Sequence, residues 1–440
     1  MELDGKHVAI LGAGTSGFAA AKLALDRGAH VAAFDSGEPG KLSGAAERFR
    51  AIGVELARGD DALSPSRRFD LAVISPGIDL GWPLAQTFID CSEELIGEIE
   101  LAFRLDDTPV IAITGTNGKT TTTSLVASML SSAGVSCAAA GNIGDAYSEI
   151  VLGGGDLDWI VLEASSFQLE TVVDFAPKVA IWMNFAPDHM DRYATIEDYH
   201  AAKRNIFLNA DESTAVIRKY EDRVGPGQAV TFSAFTPEAE FTYADGAIRH
   251  EPTGRSFPYR DCELHGKHNA ENVMAALAVA DELQLSWNAV ARAIETFRAP
   301  AHRCEKVREL DGVTWINDSK STNLHSLRSA LAGQEGGTVL IVGGKDKGLD
   351  FSELTSGLKP LVRHAVCIGE TGERIAAAWS DTVPVSVAGG LESAVALARK
   401  EAEPGDAVLF SPGTSSFDMF SGYEARGDAF RTAVESLDAS

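Results

Sequence analysis

Three times along the chain, a short unbroken apolar run meets a glycine-rich turn. His7–Leu11 runs into Gly12 and an Ala/Leu-rich helical stretch at 18–27. Residues 110–113 run into Gly115 and a helical pattern at 124–133, and residues 339–342 run into Gly343-Gly344. Apolar runs bounded by turns read as strands buried on both faces. Their alternation with helices predicts parallel sheets joined by right-handed crossovers, an α/β fold. Residues 210–262 differ: Phe241, Tyr243 and Ile248 alternate with polar neighbours, which predicts antiparallel strands. A length of 440 residues accommodates about three domains. The chain is expected to divide near 97, before the helical pattern Glu98–Arg104, and again at Arg298-Ala299-Pro300, giving units 1–97, 98–300 and 301–440.

Charge narrows the partners. Sixty-three acidic against 38 basic side chains leave a formal charge of −25. Such a surface repels polyanions, so no nucleic-acid or anionic-membrane partner is expected, and an anionic ligand must be held by local cations and backbone N–H groups. The five cysteines form no CxxC pair and fit a reducing cytosol. No apolar run approaches the 18 or so residues of a membrane span, and Met1 to Lys6 does not read as a signal peptide. A soluble cytoplasmic protein, acting as a monomer, is the expectation.

Two glycine-rich turns carry chemistry. Gly12-Ala13-Gly14-Thr15-Ser16-Gly17 follows a strand and opens a helix, where glycines let the backbone approach a diphosphate. Asp35, 18 residues past Gly17 and after a second apolar strand, stands where a ribose hydroxyl is bound in a dinucleotide fold. The pattern does not choose between NAD and another nucleotide diphosphate, and it also reads as a turn that merely packs helix on strand. Gly115-Thr116-Asn117-Gly118-Lys119-Thr120-Thr121 is the sharper signal. Its backbone N–H groups suit a β-phosphate, Lys119 the β- and γ-oxygens, and Thr120 a Mg²⁺ ion. It is a short form of the phosphate loop, with Ile113 where the longer form has its first glycine.

Glu163 ends the apolar strand that starts near Asp158. As a parallel neighbour of the phosphate-loop strand it would bring a carboxylate beside Thr120. Asp188-His189-Met190-Asp191-Arg192 clusters titratable groups after the run 179–183, with His189 a candidate metal ligand. Lys203, among Tyr199, Ile206 and Phe207, reads by pattern as a surface lysine. Asn317-Asp318-Ser319-Lys320-Ser321-Thr322-Asn323, 343–348 and 411–418 are polar or glycine-rich turns after strands, open to ligand binding or to a purely structural reading.

The order of Gly115 to Thr120, Gly141-Asn142-Ile143-Gly144, Glu163-Ala164-Ser165-Ser166-Phe167-Gln168-Leu169, Asp188 to Tyr193 and His268-Asn269-Ala270-Glu271-Asn272 resembles the Mur ligases over nearly the whole chain. Ser75-Pro76-Gly77-Ile78, Ile316 to Lys320 and Ser415 to Phe420 resemble the branch of that family that adds D-glutamate. The resemblance implies an N-terminal Rossmann-like domain for the UDP-substrate and a central P-loop ATPase-type domain with a parallel sheet plus a small antiparallel sheet. It implies a C-terminal Rossmann-like domain for the incoming amino acid. The implied reaction is ATP-dependent amide synthesis between UDP-N-acetylmuramoyl-L-alanine and D-glutamate through an acyl phosphate, in peptidoglycan assembly. Lys119, Glu163, His189 and Lys203 are then catalytic, with two Mg²⁺ ions bound by Thr120, Glu163, His189 and Lys203, the last as its carbamate. Gly115 to Thr121, Asn269, Asn272, Arg303 and Asp318 would bind ATP. Thr15, Ser16, Asp35, Ser36, Gly77 and Asn142 would meet the UDP-substrate, and Thr322, Lys347, Ser416, Phe417 and Tyr423 the D-glutamate. Tyr423 stands where the family is expected to have Phe.

Two other activities fit parts of the chain. A nicotinamide oxidoreductase uses Gly12 to Gly17 and Asp35 but leaves Lys119, Glu163 and His189 unexplained. A folylpolyglutamate-type ligase shares the central loop but lacks a dinucleotide-like unit before residue 97. A non-catalytic binding protein would tolerate loss of Lys119, Glu163 and His189 together, and all three are present.

Overall fold

The computed structural model describes residues 1–438 except 191, 265, 299–300 and 335–336. Its strands fall into three sheets. The first is wholly parallel and five-stranded, in the order Leu56–Arg58, His30–Asp35, His7–Leu11, Leu71–Ile74, Leu95–Gly97. Its order reverses between His7–Leu11 and Leu71–Ile74, and open α/β sheets form ligand crevices at such reversals. Gly12 to Gly17 and Ser75 to Ile78 both leave the sheet there.

The central sheet has nine strands. Val110–Thr114 lies between Trp159–Glu163 and Val179–Trp182, all parallel, and Cys137–Gly141 pairs outside Trp159–Glu163. Each residue of Val110–Thr114 is buried, as expected of a strand covered on both faces. Helix Lys119–Ser132 and helix Lys267–Glu282 share one apolar cluster with Ile111, Ile181, Ile217 and Phe232.

The region 210–262 departs from the expected separate antiparallel sheet. Ala215–Lys219 and Val230–Ser233 extend the central sheet in parallel, and Phe241–Ala244 joins them in parallel. Only Ala247–His250 and Arg255–Phe257 are antiparallel, and they complete the same sheet. The alternation around 241–250 comes from cover on one side: Phe241, Tyr243 and Ile248 pack in the cluster of helix Lys267–Glu282, and Arg249 is exposed. A half-covered strand alternates whichever way its neighbour runs.

The third sheet is ordered Glu305–Leu310, Val313–Asn317, Ala407–Phe410, Thr338–Val342, Val362–Cys367, Val385–Val387, and is parallel except for its first pair. The expected boundary at Ala299-Pro300 lies outside the described residues. At the other junction, strand Leu95–Gly97 closes the first sheet and helix Glu98–Arg104 follows. There Ala20, Ile99, Tyr147 and Ala112 belong to one continuous apolar cluster, so the first two sheets share a core. Among the described residues, no helix is long and apolar enough to cross a membrane, and Cys91, Cys137, Cys304 and Cys367 are free thiols.

Candidate active site

The phosphate loop bends where only glycine fits. Gly118 has φ +85° and caps helix Lys119–Ser132, and a Cβ there would strike Asn272. Lys119 Nζ donates to the carbonyls of Gly115 and Thr116, each at 2.9 Å. Lys203, expected on the surface by pattern, is 2% exposed and donates to Gly115 O at 2.8 Å. Helix Ile196–Arg204 turns Tyr199, Ala202 and Lys203 inward, with the ammonium 4.7 Å from the Tyr199 ring centre. Burial lowers the Lys119 pKa and, helped by the charge of Lys119, pushes Lys203 well below the ordinary lysine value.

Glu163 pairs in register with Ile113 on one side and Gly141 on the other, so its side chain leaves the sheet beside the phosphate loop. One carboxylate oxygen accepts from Asn142 Nδ2 at 2.8 Å, and the other is buried with no hydrogen-bond partner. His189 takes a left-handed backbone, φ +58°, and its ring lies 4.9 Å from that of Phe167. Burial holds its pKa down, which favours the neutral, ligating imidazole. Asp191, in the same segment, lies outside the described residues. Asn269 and Asn272 are buried on helix Lys267–Glu282 and joined at 3.0 Å, with Asn272 also accepting from Thr122.

The third sheet faces this loop. Arg303 donates to the Thr120 hydroxyl, and Asn323 Nδ2 donates to Asp188 at 2.7 Å. His325 Nδ1 meets Asn117 Nδ2 at 2.6 Å, and Lys347 stands 4.0 Å from Asp188. Asp318 accepts from Ser411 Oγ at 2.7 Å and from Cys304 N at 3.1 Å, while its burial raises its pKa to about 6. Lys320 lies 3.6 Å from the Tyr423 ring centre and burial lowers its pKa to about 8. A cavity of about 330 Å³ opens between the two faces, lined by Gly118, Asn269, Asn272, Arg303, Asp318 and Lys320 among others. His325 and Phe235, the latter a 60%-exposed ring on the same cavity, carry no candidate role in the sequence, and Asn323 stands there only as the last residue of the 317–323 turn. An exposed aromatic after a strand carries no sequence signal of its own.

The other expected residues divide. Thr15 and Ser36 are exposed and Ser16 half-buried around the Gly12 turn. Asp35 closes that turn by accepting from Ala13 N at 2.8 Å and Gly37 N at 2.9 Å. Asn142 donates to Glu163 beside the phosphate loop. Gly77 is exposed on the loop facing that turn. Thr322 lies half-buried on the turn before helix Leu324–Ala332. Ser416 is buried, Phe417 is 71% exposed, and Tyr423 begins helix Tyr423–Glu435.

The sequence matches the family description "Mur ligase middle domain" over residues 113–280 and "Mur ligase, glutamate ligase domain" over 302–413. It is 39% identical to the UDP-N-acetylmuramoylalanine–D-glutamate ligase of Geobacter metallireducens, across 99% of both chains. Among solved structures, it resembles a pseudomurein peptide ligase type C from Methanothermus fervidus (TM-score 0.62, 16% identity, 98% of this chain and 100% of that one). It likewise resembles the UDP-N-acetylmuramate–alanine ligase of Thermotoga maritima (TM-score 0.61, 18% identity, 98% and 99%). A phosphate loop flanked by Glu163 and His189, two matching family regions and end-to-end identity agree: the chain belongs to the Mur ligase family.

Proposed function

We propose that this chain is an ATP-dependent ligase that joins D-glutamate to UDP-N-acetylmuramoyl-L-alanine, releasing ADP and phosphate, in peptidoglycan precursor synthesis. The observation that carries the reading is the convergence of Lys119, Lys203, Glu163 and His189 around one phosphate-type loop. The name of the relative from Geobacter metallireducens supplies the substrates. Three domains, 1–97, 98–300 and 301–440, would carry the UDP-substrate, ATP and amino acid in turn.

Among the described residues, no three His, Cys, Asp or Glu side chains form a metal cage. Hydroxyl, carboxylate and imidazole donors beside a phosphate loop fit Mg²⁺, which keeps few protein ligands and completes its shell with phosphates and water. Glu163, with one buried unpartnered oxygen, and the Thr120 hydroxyl would hold one ion, and His189, with Lys203 as its carbamate, a second. Bound there, the ions would neutralise phosphate charge as the substrate carboxylate approaches. Lys119 would hold the β- and γ-phosphate oxygens, and the loop N–H groups would orient them. Lys203, buried and readily neutral, suits carbamylation, which turns a cation into an oxygen ligand. Arg303, Asp318, Asn269 and Asn272 would grip the nucleotide from both faces of the cavity. Lys347, Thr322, Ser416, Phe417 and Tyr423 would receive D-glutamate, and Thr15, Ser16, Asp35, Ser36, Gly77 and Asn142 the UDP-substrate.

Phosphate release measured with each UDP-muramoyl acceptor and each amino acid tests the reading. Release that requires both UDP-N-acetylmuramoyl-L-alanine and D-glutamate supports it. Release with neither, or reduction of a nicotinamide cofactor, sinks it.

A further inference from the structure

Arg192 belongs to the His189 segment of the central part, yet its side chain reaches the first sheet. Nη1 donates to Pro76 O at 3.1 Å, and Nη2 donates to Ile78 O at 3.2 Å and to Glu170 at 2.6 Å. Asp79 stands 3.7 Å from Nε. The guanidinium lies 4.4 Å above the Phe167 ring, which also meets the rings of His189 and Tyr193. Glu170 is braced in turn by the Tyr193 hydroxyl at 2.5 Å. The Arg192 side chain is 13% exposed, so these charge-assisted bonds act in a largely dry junction.

The loop that Arg192 grips is also lodged against the glycine turn. Ser75 N donates to Leu11 O at 2.9 Å, and a Cβ added at Gly12 would run into Ser75. One flank of the 75–79 loop therefore touches the turn that would cradle a diphosphate. The other flank hangs from a guanidinium packed toward His189.

We infer that Arg192 is a positioning residue: it holds the 75–79 loop in register with the His189 segment and so sets how far the acceptor's carboxylate lies from the phosphate loop. This rests on the ligase reading above. Five donors in a rigid planar fork can span two carbonyls and a carboxylate at once, which a lysine ammonium cannot. A carboxylate and a phosphate that must react tolerate little misplacement, because alignment within a fraction of an ångström supplies much of the rate.

The test compares wild type with Arg192→Ala, Arg192→Lys and Glu170→Gln. Four quantities are read: acceptor affinity by calorimetry with UDP-N-acetylmuramoyl-L-alanine, ATP affinity, kcat for phosphate release, and Tm. Arg192→Ala is expected to weaken acceptor affinity about tenfold and kcat about tenfold, with ATP affinity within twofold of wild type. Arg192→Lys should recover less than a third of either loss, and millimolar guanidinium should restore part of the alanine variant's kcat. Glu170→Gln keeps the shape and removes the orienting charge. It should show the same split more weakly and add nothing on top of Arg192→Ala, and it decides the matter if the alanine variant fails to fold. Acceptor affinity and kcat both within twofold of wild type would overturn the inference. So would an equal loss of ATP affinity, the mark of a merely structural contact. A wild type that binds the acceptor yet releases no phosphate would instead overturn the ligase reading, and the affinity comparison would still decide the role of Arg192.

Discussion

Lys119 and Lys203 donate to the same acceptor, the carbonyl oxygen of Gly115, at 2.9 and 2.8 Å. Two ammonium groups on one oxygen in a buried site repel each other, and neither is well hydrated. Burial lowers both pKa values, with the Arg303 charge adding to it at Lys119 and the Lys119 charge at Lys203, which is pushed well below the ordinary lysine value. On the proposed ligase reading the pair would divide the labour: Lys119 would hold phosphate as a cation, and Lys203, the more strongly shifted, would give up its proton.

Lys119→Ala is expected to lose ligation by on the order of 10²–10³ or more in turnover, the scale of removing a charge contact made to a transferring phosphoryl group. Phosphate release under saturating substrates reads it. Turnover within a few fold of wild type would remove the loop from the mechanism.

Lys203→Ala should also be inactive, and a short carboxylic acid in solution should partly restore it by placing an oxygen where the carbamate would be. Lys203→Arg should stay inactive, since its guanidinium remains charged. Carbamylation consumes the neutral amine, whose share rises with pH. Protein stripped of CO₂ should therefore regain activity with bicarbonate more completely at pH 9 than at pH 7. A fully active arginine variant would show an ordinary cation.

Asp318 carries a stability cost. Its folded pKa, about 6 through burial, lies above the ordinary value of 3.8. The folded state therefore holds the proton more tightly, and the cost is complete above about pH 6 and fades as pH falls toward 4. Asp318→Asn should raise stability at pH 7–8 by up to about 3 kcal/mol, with the gain vanishing near pH 4. Denaturant melts across that range test the sign. A gain that grows toward low pH would contradict it.

Asn323 and Asp188 tie the third sheet to the central one at 2.7 Å. A hydrogen bond to a charged group contributes about 1.5–3 kcal/mol, enough to shift a balanced open–closed equilibrium at least tenfold. Asn323→Ala should therefore enlarge the radius of gyration measured by X-ray scattering, and ATP with the UDP-substrate should shrink it again. Identical curves for the variant and wild type would place closure elsewhere.

The site was legible where chemistry leaves a local mark. Gly118 and Lys119 stand at fixed offsets after an apolar strand, and the structure puts that strand, loop and helix in line. Lys203 was misjudged by pattern, because helical spacing reports which face is apolar and cannot see a phosphate loop 88 positions away. Asn323 and Arg192 fall inside legible motifs, but their partners lie across junctions between sheets and no local pattern names them, and His325 has no local mark at all. The alternation at 210–262 reported one-sided burial faithfully. It could not report strand direction.

The order of the central sheet has a consequence for how the protein is made. Val110–Thr114 pairs with Trp159–Glu163 and Val179–Trp182, and with neither of the chain segments adjacent to it. Glu163 reaches the phosphate loop only after a crossover of some fifty residues has closed, and the His189 segment only after a second, longer one. Such non-local pairings are slow to form because their loop entropy must be overcome before any contact compensates it. A ribosome-bound chain that stops before residue 182 holds a phosphate loop whose sheet is incomplete on one side. The phosphate-loop strand therefore gains both neighbours only once Val179–Trp182 has been made, and the nascent chain exposes an unpaired strand edge until then.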